Sequence, residues 1–287
     1  MSVHQKADKE SPVTREQKYE AFKALHERPG AFVIPNPWDA GTAKILTAIG
    51  FEALATTSAG YAFAAGHRDS PAEITRDGIL ANAREIVTAT HLPVSADLQN
   101  GFGAAPEICS ETIRLASAIG LAGGSIEDAS GNTEEPIYDF ELAVERIAAA
   151  AETAHTHHLL LTARAENFLY GLNNLEDTIK RLQAFADAGA DVVYAPALPN
   201  MEAIREVCAS VAKPVNVLMG LGGTDFSVEE LAAAGVKRIS VGGSFARAAL
   251  GGFVRAAREV KDKGTFTYAK DTLSHADATA FMADSKR

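Results

Sequence analysis

Short apolar runs recur along the chain near residues 31–35, 53–57, 94–98, 124–127, 159–163, 192–195, 215–219 and 238–241, each closed by polar or turn-forming residues. Runs of this length with little polar alternation predict strands buried on both faces. Between them, residues 40–49, 79–90, 105–119, 140–154, 175–188, 201–211, 228–234 and 245–260 carry apolar positions three and four apart. That spacing predicts helices with one buried face. Four of these stretches stop at Gly50, Gly120, Gly189 and Gly235 before the next strand, as expected of the residue that takes a left-handed helix end at little cost. Eight strands alternating with eight helices predict an α/β fold, a (β/α)8 TIM-type barrel. An open doubly wound sheet is the alternative, but no Gly-x-Gly-x-x-Gly turn follows the first strand.

No repeat, low-complexity segment or Pro/Ser-rich linker divides the pattern, so one barrel domain is expected over residues 16–263 of the 287. Residues 1–15 read as a disordered tail without the apolar core of an export signal, and no run approaches the ~18 apolar residues of a membrane span. After Lys263 the pattern weakens into a tail, residues 264–287, in which Leu273, Ala276, Ala280 and Phe281 keep roughly helical spacing. This tail is expected to cap the barrel or to pack on a neighbouring subunit. A formal charge of −10 with no basic block makes nucleic acid and anionic membranes poor partners. Cys109 and Cys208 are far apart in helical patterns and offer neither a metal spacing nor a disulfide framework, so a reduced, cytoplasmic setting is expected.

In such a barrel chemistry belongs at the C-terminal ends of the strands. The strand assignment places Asn36, Asp39, Thr57, Ser58, His67, Arg68 and Asp69 there, then Asp97, Gln99, Asn100, Glu127, Asp128, Arg164, Glu166 and Ser244. One strand-end carboxylate is ordinarily a helix cap or an ion-pair partner. Asp69, Asp97 and Glu127 come from consecutive βα units, however, and face one arginine. Oxygen donors without His or Cys fit Mg²⁺, which needs one or two direct carboxylates, better than Zn²⁺. Arg164 has two readings, a neutraliser of Glu127 or Glu166 and a bidentate partner for a substrate carboxylate. Gly220-Leu-Gly-Gly-Thr224 and Gly242-Gly-Ser-Phe245 follow the last two strands. Barrels often bind phosphate there, which keeps open an enzyme acting on a phosphorylated substrate. A Schiff-base form lacks its lysine, because Lys213 and Lys237 precede strands and the other lysines fall on helices or tails. His157 and His158 precede the fifth strand and belong at the barrel bottom.

Asn36-Pro-Trp-Asp39, Thr57-Ser-Ala-Gly60, His67-Arg-Asp69, Ser95-Ala-Asp-Leu-Gln-Asn-Gly-Phe-Gly103, Ser125-Ile-Glu-Asp128 and Thr162-Ala-Arg-Ala-Glu166 stand in this order. Together they resemble the successive motifs of the isocitrate lyase/phosphoenolpyruvate mutase superfamily over residues 31–250. The resemblance implies that Asp97 is the principal Mg²⁺ ligand, with Asp69, Glu127 and Gln99 at the metal site. It implies that Arg164 and the backbone of Ser58 and Ala59 hold a substrate carboxylate, with Asn100 beside them. It also implies an enolate of a small 2-oxo or 2-hydroxy acid, C–C or C–P cleavage, and a homo-oligomer, tetramer or dimer, that exchanges its C-terminal helices.

The chain departs from the pattern twice. The usual Asp-x-Asp is Asp97-Leu-Gln99, which removes one negative charge from the metal site. The lyase Lys-Lys-Cys-Gly-His loop and the mutase lysine are replaced by Ala129-Ser-Gly-Asn-Thr-Glu-Glu-Pro-Ile-Tyr-Asp139. Only Ser130 and Asn132 remain there as polar catalytic candidates, and isocitrate lyase activity itself is not expected. A barrel that binds a carboxylate without turning it over is the reading from another class.

Overall fold

The apolar runs become strands because each is too short for a stable helix and most are bounded by helix-ending glycines or by prolines. In the computed structural model, which describes residues 13–70, 73–222 and 225–283, they are β1 (Phe32–Ile34), β2 (Leu54–Ala55), β3 (Val94–Asp97), β4 (Gly123–Glu127), β5 (Leu160–Arg164), β6 (Val192–Tyr194), β7 (Val215–Leu218) and β8 (Arg238–Ser240). Neighbouring strands pair in parallel from β2 through β8 and on to β1. The remaining seam is bridged where the Ala55 N–H donates to the Pro35 carbonyl at 3.0 Å. The result is the expected (β/α)8 barrel.

The helices are α1 (Arg15–Glu27), α2 (Ala40–Ile49), α3 (Ser58–Ala65), α4 (Arg76–Ala89), α5 (Pro106–Ala118), α6 (Phe140–Thr156), α7 (Leu175–Asp187), α8 (Met201–Ser210), α9 (Val228–Ala233), α10 (Ser244–Lys263) and α11 (His275–Met282). The expected helices are all present. Two more lie inside the expected barrel, and both bear on the site.

Helix α1 closes the barrel bottom. Phe22 and Leu25 pack against Phe32, Ile34, Ala53, Ala122 and Leu160. A side chain at Gly123 would meet the Phe22 ring at 2.7 Å, so this glycine admits the plug. His158 stacks on Tyr19 and pairs with Glu16 at 3.0 Å, which puts it at the bottom as expected. Helix α3 begins at the opposite end, where the Thr57 hydroxyl caps it by accepting from the Gly60 N–H at 3.2 Å. A Cβ on Gly60 would lie 2.6 Å from Thr57 and 2.9 Å from Trp38, so only glycine lets α3 sit this close to the mouth.

The expected tail up to residue 12 lies outside the described residues. At the other terminus α11 packs on α2 of its own chain, where Lys44 Nζ donates to the Met282 carbonyl at 3.0 Å. Helix α10 buries one described residue, Ala246, and leaves Phe253 70% exposed. Among the described residues no helix is long and apolar enough to cross a membrane.

Ordinary barrels fill their interior with layers of branched side chains. Here one register row reads Glu127, Arg164, Tyr194, Asn216, Arg238 and Phe32 from β4 round to β1. Register partners share a face of the sheet, so the lumen carries a polar belt. A cavity of about 450 Å³ runs from rim residues such as Phe63 and Asp69 down to Asn216 and Arg238.

Candidate active site

The strand ends are tied together before any side chain is considered. Leu98 N–H donates to the Ser125 carbonyl at 3.2 Å, and Glu127 N–H donates to the Gln99 carbonyl at 3.0 Å. Gln99 takes a left-handed backbone (φ 47°) to make this link. Glu127 and Arg164 are then register partners at the ends of β4 and β5.

Arg164 is the centre of the mouth. Its Nε lies 2.8 Å from Glu166 Oε1, Nη1 lies 3.3 Å from Asp97 Oδ1, and Nη2 lies 3.2 Å from Glu127 Oε2. Its Cζ sits 5.0 Å from the centre of the Tyr194 ring. One cation therefore faces three carboxylates in a site largely closed to water. Burial pushes the Glu127 and Glu166 carboxyls above the usual range, against the opposing pull of Arg164. Burial disfavours the charged form of Arg164, but Glu166, Glu127 and Asp97 outweigh it and raise the guanidinium well above its ordinary value.

Asp97 is oriented from two sides. Its Oδ2 accepts the Ser58 N–H at the start of α3 at 3.1 Å, and its own N–H donates to Thr56 Oγ1 at 3.0 Å. The α3 N-terminus thus directs its partial positive charge at the mouth. Asp128 is structural by its contacts: it accepts from Glu166 N–H at 2.8 Å and from Arg181 at 3.1 Å. Burial pushes its carboxyl up to about 7.

A smaller pocket of about 150 Å³ adjoins the cavity, and Asp69, Asp97, Gln99, Asn100, Glu127 and Glu166 are among its lining residues. The sequence-predicted metal set is therefore brought to one place. Among the described residues no three His, Cys, Asp or Glu side chains form a ready metal cage, and Asp97, Glu127 and Glu166 all face Arg164. The donors are nevertheless all hard oxygens, and Glu166 Oε2 is buried without a hydrogen-bond partner. A cation that keeps several waters and takes one or two carboxylates fits this set; one that demands a closed protein cage does not.

Ala59 and Ser58 line the larger cavity. Asn100 donates to the Ala129 carbonyl at 3.1 Å and so ties the β3 loop to the β4 loop. Ser130 and Asn132 are placed differently. The Ser130 hydroxyl donates to the Glu135 carbonyl and accepts from Asn132 N–H at 2.9 Å, while Asn132 Oδ1 accepts from Glu134 N–H at 3.0 Å. Both side chains fold the loop on itself beneath the Ala129–Ile137 bridge. In the glycine turn after β8, the Gly242 N–H is taken by Asn36 Oδ1 at 2.8 Å. Gly223 and Thr224 of the other glycine turn lie outside the described residues.

Sequence reasoning missed Tyr194, Asn216 and Arg238 in the lumen, and Tyr170 and Arg247 at the rim. Alternate positions of the last three strands carried the signal for the first group. Nothing local marked the other two.

A (β/α)8 barrel with a charged, cavity-lined centre at the C-terminal strand ends has the form of a barrel enzyme. Residues 22–261 match the phosphoenolpyruvate phosphomutase family, and the chain belongs to it, within the PEP mutase/isocitrate lyase superfamily. A Burkholderia cenocepacia J2315 protein described provisionally as a lyase/mutase is 54% identical, with a TM-score of 0.92 over 95% of this chain and 98% of that one. The 2-methylisocitrate lyase of Shewanella oneidensis is 31% identical over 66% of this chain and 67% of that protein. A 2,3-dimethylmalate lyase structure is 25% identical, with a TM-score of 0.81 and 94% of both chains covered. Members of this superfamily are lyases and mutases of small carboxylates.

Proposed function

We propose that the protein is a Mg²⁺-dependent enzyme that cleaves a C–C or C–P bond of a small 2-oxo or 2-hydroxy carboxylate through an enolate. The observation that carries this reading is Arg164 among Asp97, Glu127 and Glu166 at 2.8–3.3 Å. The guanidinium fork receives the substrate carboxylate, helped by the Ser58 and Ala59 N–H groups of α3. Asp97 and Glu127, with Asp69 and Gln99 around them, would hold the cation. A bound divalent cation supplies Lewis-acid stabilisation of negative charge on the 2-oxo acid oxygens. Arg164 stabilises the same developing charge, and Asn100 fixes the β4 loop over it. Ser130 and Asn132 shape that loop and position its backbone beside the reacting end.

The loop 129–139 contains no Lys, Cys or His. The proton donor of tricarboxylate cleavage and the cationic partner for a migrating phosphoryl group are both missing from it. A turnover screen of 2-oxo and 2-hydroxy acids, with Mg²⁺ or with chelator, tests the reading. Turnover of a small acid that chelator abolishes and oxalate inhibits is expected, without glyoxylate from isocitrate. Efficient isocitrate cleavage would overturn the loop argument, and turnover indifferent to chelator would overturn the metal assignment.

A further inference from the structure

The loop after β5 brings one more reactive group to the small pocket. Tyr170 N–H donates to the Glu166 carbonyl at 3.2 Å, and Leu172 N–H folds back to the Asn167 carbonyl at 2.8 Å across the left-handed Gly171 (φ 76°). Asn167 Nδ2 is bound to Asp177 Oδ2 of α7 at 2.8 Å, so the turn is anchored at its base. Tyr170 lines the pocket of about 150 Å³ together with Asp97, Glu127, Arg164 and Glu166. Its phenol lies within the field of Glu127, Glu166, Arg164 and Asp69. The residue is 44% exposed. Among the described residues the hydroxyl has no hydrogen-bond partner.

Asp69 also lines this pocket, its carboxyl raised by burial, but it belongs to the residues assigned to the cation; outside that set no group is as free to exchange a proton. Asp97, Glu127 and Glu166 face Arg164, and no Lys, Cys or His of the described residues lines the pocket. The serine hydroxyls there are far weaker acids than a phenol; burial, with Glu127, Glu166 and Asp69, pushes the Tyr170 phenol above its ordinary value, which keeps it protonated and able to donate.

We propose that Tyr170 is the catalytic acid/base of the enolate step, taking the part that the loop 129–139 has no side chain to play. This rests on the enolate reading of the site. In the protonation step the Oη–H bond breaks and a C–H bond forms at the enolate carbon from the enolate's electron pair. The phenolate left behind is disfavoured by burial and by Glu127 and Glu166, against the opposing pull of Arg164, and recovers its proton from solvent. In reverse, the phenolate removes a proton from the carbon next to a 2-oxo group.

Exchange of the pyruvate C3 protons with D₂O, followed by NMR in the presence of Mg²⁺, isolates this step. Oxalate binding by calorimetry is measured beside it. The wild-type protein should exchange C3 protons faster than Mg²⁺ alone. Tyr170→Phe should slow that exchange ~100-fold or more, the usual scale of general acid–base catalysis, and leave oxalate affinity unchanged. Undiminished exchange in Tyr170→Phe would overturn the assignment. So would a wild-type protein that binds oxalate and exchanges nothing, while the carboxylate site would stand. Absence of oxalate binding to the wild type would overturn the enolate reading and this inference together.

Discussion

Two arginines line the lumen, and they sit in opposite electrostatic settings. Arg164 at the mouth faces three carboxylates within 3.3 Å. Arg238, 5% exposed, has no carboxylate partner among the described residues. Its Nε donates to Asn216 Oδ1 at 2.8 Å, its Nη2 to Thr162 Oγ1 at 2.9 Å, and its Nη1 approaches His26 Nε2 at 3.5 Å. His26 Nδ1 lies 2.8 Å from the Phe22 carbonyl, which needs a proton on Nδ1 and leaves Nε2 bare to accept. Burial, then the charge of Arg238, pushes His26 down to about 3, and burial pushes Arg238 down to about 10. A buried charge alone therefore does not mark an active site. The mouth is distinguished by its surplus of negative charge, which a cation and an acidic substrate can meet; the bottom is held by neutral acceptors that need nothing further.

The sharpest way to break this contrast is Arg164→Met, which leaves Asp97, Glu127 and Glu166 facing one another. Stability should fall by about 3–5 kcal/mol at pH 8, the scale for an uncompensated buried charge. The raised carboxyls of Glu127 and Glu166 take up protons more readily than in the unfolded chain, so the loss should shrink as pH falls toward 5. Urea denaturation at both pH values reads this, and an equal loss at each would contradict it.

Arg238→Met should cost less, about 1–3 kcal/mol, because removing the desolvated charge offsets part of the loss from Asn216, Thr162 and His26 left without their donor. The His26 pKa should climb from about 3 toward its ordinary value. In the wild type this depressed value means that stability is present above about pH 6.5 and declines as pH falls from there toward 3; the variant should shift that decline to lower stability loss. Imidazole NMR titration and denaturation at pH 4 and 7 check both parts. Oxalate binding should survive, and its disappearance from a folded Arg238→Met protein would erase the division between the two arginines.

The smallest expected effect is at Gln99. Gln99→Asp adds a negative charge beside Asp97 and should tighten Mg²⁺ several-fold in a calorimetric titration. The left-handed backbone there (φ 47°) suits aspartate at least as well as glutamine. Unchanged Mg²⁺ affinity would place Gln99 outside the metal's surroundings.

What the sequence made legible follows the same division. Asp97, Glu127 and Arg164 each end a strand, so a correct strand reading placed them in one mouth. Arg238 opens β8 and reads as a boundary charge; its inward direction depends on pairing with Asn216 and Phe32, which only the register reveals. Helix α1 was hidden by its charged surface, since only four of its thirteen residues are buried. Helix α3 has no counterpart among the expected helices because Ser58–Ala65 is rich in small residues and lacks a clear apolar stripe, although Thr57 offers a cap. Tyr170 and the internal bonding of Ser130 and Asn132 depend on loop paths, which no periodicity encodes.

Calorimetric titration of oxalate into the wild-type protein, with Mg²⁺ and then with chelator, tests the central claim most directly, with Asp97→Ala as its control. Binding that requires Mg²⁺ and vanishes in a folded Asp97→Ala protein is the predicted result. Oxalate affinity unchanged by chelator, or retained without Asp97, would contradict the account of the mouth as a cation-assisted carboxylate site.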